Sequence, residues 1–187
     1  MSSIQAQETN EQWVESISLS LFNEKVTTPF EATDAIQTHW GGTLSYETSK
    51  NRAGVYQFTH IFQGGYYYHA NFNQVAFLAW KPKFELRFNN LFNLHAILGV
   101  GYAHSFLTQP TYQIENGQYQ EKRNWGTPHF MPSLGIGTGL NLYALLGVPL
   151  EVFVRYEAFS LAPYKPKGRL PFTPNTMLGI GLKYTFN

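Results

Sequence analysis

A chain of 187 residues is long enough for one sizeable domain. Its net charge of +1, from 13 basic and 12 acidic side chains without a basic cluster, excludes nucleic acid as a partner. The absence of cysteine excludes a disulfide framework and a thiolate metal site. Charged residues make up 13% of the chain against 17% aromatic, and the longest apolar run, VAFLAW at 75–80, is far too short for a membrane-spanning helix.

The start, MSSIQAQETNEQ, has neither a basic n-region nor an apolar h-region, but IQAQ has the character of a cleavage-site tail with Ala6 at the cut. The expectation is a mature exported chain: a flexible segment 1–11 holding a signal-peptide remnant, then a single domain over 12–187.

From Trp13 onward apolar residues recur in twos, as half-buried strands require, and no helical period competes. The first strand covers 13–22, with Ile17, Leu19 and Leu21 opposite Ser16, Ser18 and Ser20. The second, 36–48, sets Ile36, Trp40, Leu44 and Tyr46 against Gln37, His39, Thr43, Ser45 and Glu47. In the third, 54–69, Tyr56, Phe58, Phe62, Tyr66 and Tyr68 oppose Gln57, Thr59, Gln63 and Tyr67. The fourth, 75–88, carries Leu78, Trp80, Phe84, Leu86 and Phe88 on one side and Lys81, Lys83, Glu85 and Arg87 on the other, with Pro82, which cannot donate to a ladder, among the apolar set.

The fifth, 94–106, opposes Leu94, Ala96, Leu98, Val100 and Tyr102 to His95, Gly99, Gly101, Ala103 and Ser105. The sixth, 133–145, sets Leu134, Ile136, Leu140 and Leu142 against Gly135, Gly137, Gly139 and Asn141. The seventh, 150–161, sets Leu150, Val152, Val154 and Tyr156 against Glu151, Phe153, Arg155 and Glu157. The last, GIGLKYTFN with the residues before it, alternates Leu178, Ile180, Leu182, Tyr184 and Phe186 with Met177, Gly179, Gly181, Lys183 and Thr185.

Connections alternate in length. SKNRAG, FNNLFN and LLGVP read as tight turns, whereas the links after strands one, five and seven are long; only ANFNQ, after strand three, is short where length is expected. Asn116-Gly117 in the longest link is a type I′ hairpin signal and predicts a two-stranded flap.

The charges orient the faces. Each charge near the midplane of a bilayer costs roughly 2–4 kcal/mol, so four of them on a lipid-facing wall would cost about 8–16 kcal/mol, the scale of a whole domain's stability. The lumen therefore receives Glu47, Lys81, Lys83, Glu85, Arg87, Glu151, Arg155, Glu157 and Lys183. A soluble ligand-carrying cup would turn the apolar faces inward instead, but its interior has no room for so many aromatics, and Trp and Tyr near strand ends are the interfacial girdles of a membrane barrel. The fold class is all-β: an eight-stranded antiparallel up-and-down transmembrane barrel with long loops on one rim and short turns, with both termini, on the other.

The ending GIGLKYTF resembles the C-terminal signal of bacterial outer-membrane proteins, with one residue, Asn187, past the aromatic. The chain as a whole resembles small eight-stranded, porin-like barrels of the OmpA-domain or OmpW size class. That resemblance implies a Gram-negative outer membrane, long loops extracellular, both termini periplasmic, and an assembly machinery that reads Leu182, Tyr184 and Phe186.

The lumen charges are expected to pair across strands and plug the bore, with Lys183 near Glu151 or Glu157 and Lys81, Lys83 and Glu47 reaching across. The alternative is a narrow pore. A second alternative is a lipid A acyl-chain enzyme at the outer rim, since one family of small barrels resembling this chain in size uses a Ser and a His there. His104 and Ser105 in YAHSF are adjacent, however, and point to opposite faces, so they cannot form a direct nucleophile–base pair. His69, His104 and His129 map to the same rim without a convergent ligand set. The expectation is accordingly no enzyme, no cofactor and no metal. The chain is read as a structural or accessory interaction subunit in the lipid bilayer, docking a larger outer-membrane protein through its loops.

Overall fold

Along the barrel strands buried inward side chains alternate with open outward ones: Leu78 and Ile180 are 68% and 58% exposed, whereas Lys81 is 0% exposed. The computed structural model of the chain describes residues 13–26, 39–50, 55–69, 73–115, 118–163 and 172–186. Expectations for segment 1–11, for Ile36 and Gln37, for the Asn116-Gly117 turn and for most of the last long loop lie outside the described residues.

The strands are β1 (Trp13–Lys25), β2 (His39–Lys50), β3 (Tyr56–Tyr68), β4 (Asn73–Arg87), β5 (Phe92–Leu107), β6 (Thr111–Glu115), β7 (Gln118–Lys122), β8 (Thr127–Asn141), β9 (Leu150–Leu161) and β10 (Thr173–Thr185), with one helical turn α1 (Tyr143–Leu146). β6 and β7 pair only with each other; the other eight close a barrel in the order β1-β10-β9-β8-β5-β4-β3-β2. Every pairing is antiparallel, and closure runs from Ser16↔Thr185 to Lys25↔Thr176 between β1 and β10. Phe186 N–H donates to the Glu15 carbonyl at 2.9 Å, so both described chain ends lie on the rim of the short turns.

The expected faces hold on all eight strands. The wall carries Leu19, Leu44, Phe62, Leu98, Leu134 and Leu182, with Trp13, Tyr56, Phe84 and Tyr184 near the short-turn ends and Trp40, Tyr66, Tyr68 and Phe130 near the other ends. An exterior this apolar, girdled by aromatics at both ends, is one that lipid rather than water covers.

Two expectations are corrected. The sixth barrel strand begins at Thr127 rather than Ser133 and stops at Asn141 rather than 145, despite Pro128 and Pro132 inside it. Beyond Asn141 the chain turns through α1 instead of making a tight turn. Asn141 Oδ1 accepts the Tyr143 N–H at 3.0 Å to start it, and Gly147, at φ 69°, ends it. Pro82 is accommodated without a change of register: the β4–β5 ladder lapses between Trp80↔Val100 and Lys83↔Ile97, then resumes in step.

The bore is layered. Its long-loop half is filled by an apolar cluster that includes Phe22, Tyr67, Val75, Phe77, Met131 and Phe159. Glycines make room for it. A Cβ at Gly41 would strike the Phe22 ring, and one at Gly65 the Phe77 ring.

Candidate functional site

The short-turn half of the bore is polar. Lys83 Nζ lies 2.8 Å from Glu47 Oε2 and 3.2 Å from Glu85 Oε2, and Arg87 Nε donates to Glu85 Oε1 at 3.0 Å. Lys81 Nζ donates to Glu157 Oε2 at 2.5 Å. Arg155 links the two groups, 3.6 Å from Glu157 and 4.0 Å from Glu47, so seven side chains form one connected chain of charge. Lys183 and Glu151 pair separately at 2.7 Å, on the facing residues of β10 and β9. Below this network a cavity of about 810 Å³ opens at the short-turn rim, lined by Glu47, Lys83, Glu85, Arg87, Glu151 and Lys183 among others. All nine lumen charges named from the sequence thus point inward. The apolar layer above them carries no such signal in the sequence, because Phe22, Phe77 and Phe159 sit on faces dominated by serine, lysine or glutamate.

Above the apolar layer lies a polar outer rim. His104 points outward: the Tyr102 hydroxyl donates to its Nδ1 at 2.7 Å, and its Nε2 donates to the Trp125 carbonyl at 3.0 Å. Ser105 points inward and donates to His129 Nε2 at 2.8 Å, while His129 Nδ1 donates to the Pro163 carbonyl at 3.1 Å. Across the mouth, His69 stacks on His39 beside Glu24. The three rim histidines named from the sequence therefore do not converge. His69 finds His39, a residue the sequence places only on the polar face of its strand. Burial first, and the neighbouring His39 second, hold the His69 imidazole below its usual range.

The β6–β7 flap stands on this rim. Its register, Thr111↔Lys122 to Glu115↔Gln118, brings Tyr112, Ile114, Tyr119 and Glu121 onto one face. Tyr112, Ile114 and Tyr119 are 62%, 67% and 80% exposed, so this apolar face is uncovered. The base of the flap is pinned: Asn124 donates to the Leu107 carbonyl at 2.8 Å and accepts the Gly126 N–H at 3.1 Å. Arg123 lies 4.1 Å over the Trp125 ring. At the other rim, Leu182, Tyr184 and Phe186 share the outer wall of the barrel, the last two rings edge to face at 5.4 Å.

No protein-family model and no curated protein sequence matches the chain. Among solved structures it is similar to Ail, the attachment invasion locus protein of Yersinia pestis, at 15% identity over 92% of this chain and 98% of that one, with a TM-score of 0.55. It is similar to Neisserial surface protein A at 7% identity, covering 93% and 97% of the two chains, with a TM-score of 0.53. A second structure of the Yersinia protein, in complex with the heparin analogue sucrose octasulfate, matches at 16% identity over 94% and 99%, with a TM-score of 0.51. At these identities the likeness is one of fold: the small eight-stranded outer-membrane β-barrel.

Proposed function

We propose that the chain is a structural or accessory interaction subunit of the bacterial outer membrane, its lumen plugged and its flap docking a larger outer-membrane protein. Short turns and termini face the periplasm, and Leu182, Tyr184 and Phe186 serve as the assembly signal. The observation that carries the docking role is the uncovered face of Tyr112, Ile114 and Tyr119. An isolated two-stranded hairpin is marginal in water, and one that leaves its apolar face open gains most from a partner that covers it. Aromatic side chains on a pinned support are suitable anchors, because little entropy is lost when they are buried.

The partner favoured by this chemistry is a protein with an apolar patch. Residues 111–123 carry Glu115 and Glu121 against Lys122 and Arg123, a balanced set with no preference for a polyanion. The sulfated ligand of the Yersinia protein therefore has no evident counterpart on this flap.

The test is a photo-crosslinking amino acid at position 119 in intact outer membranes, with gentle purification of the full chain. A specific crosslinked outer-membrane protein, lost from Tyr112→Ser/Tyr119→Ser while the barrel still folds, is the expected result. Crosslinks to lipid alone would overturn the reading.

A further inference from the structure

The polar half of the bore does not balance its own charge. Below the apolar layer the described residues set five cations, Lys81, Lys83, Arg87, Arg155 and Lys183, against four carboxylates, Glu47, Glu85, Glu151 and Glu157. Four of the cationic side chains are 10% exposed or less, whereas Arg87 is open at 43%. A positive excess walled by a barrel and backed by apolar side chains favours an anion drawn from outside, and Arg87 is where one can reach it.

The groups left over around Arg87 are chiefly hydrogen-bond donors. Its Nε donates to Glu85, and neither Nη group donates to a described residue. Asn89 Oδ1 accepts the N–H groups of Leu91 and Phe92 at 2.9 and 2.7 Å, and Asn141 Oδ1 accepts that of Tyr143 at 3.0 Å. Asn93 Oδ1 accepts from His95 Nδ1 at 3.3 Å. Each amide thus has its oxygen engaged and its NH2 group left over, and all three line the cavity of about 810 Å³ together with Arg87. An acceptor is also left: Glu151, on the same cavity, pairs with Lys183 through Oε2 and keeps Oε1.

We propose that this cavity is a binding site for a small hydroxylated carboxylic acid of the sugar-acid type. The ligand carboxylate supplies the missing negative charge and fits the planar fork of Arg87. The three amide NH2 groups donate to the ligand's other oxygens, and Glu151 Oε1 accepts from one of its hydroxyls. An excess of one charge suits a carboxylate better than a doubly charged phosphate ester. The volume is that of an ordinary small-molecule site. Phe22, Tyr67 and Phe77 fill the bore beyond, so the cavity is blind and is entered from the short-turn rim.

The experiment titrates the full chain, folded in detergent micelles, with sodium D-glucuronate by calorimetry; D-glucose and glucose 6-phosphate are the comparison ligands. The expected result is saturable binding of about one glucuronate per chain, with glucose weaker by about tenfold or more and the phosphate ester also weaker. Arg87→Gln should weaken glucuronate binding by about tenfold or more, whereas Arg123→Gln, on the flap, should leave it unchanged. Glu85 keeps Lys83 as a partner in Arg87→Gln, and heat-modifiable migration verifies that each variant folds. Absence of saturable glucuronate binding to the folded wild type would overturn the proposal, as would glucose or the phosphate ester binding equally well. So would undiminished binding to folded Arg87→Gln, and none of these outcomes bears on flap docking.

Discussion

Lys81 of β4 donates across the bore to Glu157 of β9, Nζ and Oε2 2.5 Å apart, and both side chains are sealed from solvent. The two strands are separated in the sheet by β5 and β8, so this bond braces opposite walls rather than neighbouring ones. Burying such a pair is costly in desolvation, and the attraction between the partners offsets that cost only while both are present.

Removing one partner should therefore hurt far more than removing both. Lys81→Met is expected to destabilise the barrel by about 3 kcal/mol, moderated because Arg155 stays 3.6 Å from Glu157. Lys81→Met/Glu157→Leu should recover most of that loss. Urea unfolding in lipid vesicles, followed by tryptophan fluorescence, measures both; a double variant as weak as the single would contradict the brace.

The alternation that places Lys81, Lys83, Glu85 and Arg87 on one face is legible in the sequence because a strand's side chains repeat every two residues. Lys83 and Arg87 meet Glu85 two residues away on that same face, but the partners on other strands, Glu157 for Lys81 and Glu47 for Lys83, are not legible, since they depend on register between strands far apart in the chain. Ser105 illustrates the limit. Its sequence neighbour His104 faces the other way, while His129 reaches it only because β5 pairs with β8 through Ala103↔His129. Likewise His39 has no visible relation along the chain to Glu24 or to His69, and only the alignment of the strands sets it against each of them. The start of β8 is hidden for another reason: Pro128 and Pro132 have the character of loop residues, although Pro132 takes its place opposite Val100.

The wall is tested by charge. Ile180, 58% exposed midway along β10, should tolerate arginine poorly, with a loss of about 2–4 kcal/mol in lipid. Tyr56→Arg, at the short-turn end of β3, should cost about 0–1 kcal/mol. Vesicle-folded fractions across a urea series give both values. Equal costs would mean that the outer surface does not meet a bilayer.

Closure of the bore depends on a few rings. Phe22 and Phe77 lie in the apolar layer, each against a glycine whose missing Cβ makes its space. Phe22→Ala/Phe77→Ala should open a path between the charged cavity and the outer rim, seen in planar bilayers as conductance above that of the wild type. Gly65→Val acts in the opposite sense, pressing on Phe77, and is expected to cost about 1–3 kcal/mol through overpacking without any conductance.

Flap orientation rests on Gly126. Its φ of 72° is a left-handed conformation that a side chain resists, and a Cβ there would meet His104 Nε2, the atom that donates to the Trp125 carbonyl. Gly126→Ala should therefore break the His104–Trp125 link, press on the Ser105 carbonyl at the last pair of the β5–β8 ladder, and release the base of the flap, leaving the ladder beyond that pair untouched. The expected signs are faster proteolysis within 111–123, altered Trp125 emission, and reduced capture of the crosslinked partner at unchanged barrel stability. Retained capture with a demonstrably loosened flap would show that the aromatic face alone suffices. Loss of barrel stability would instead mean that the flap base is part of the folding core.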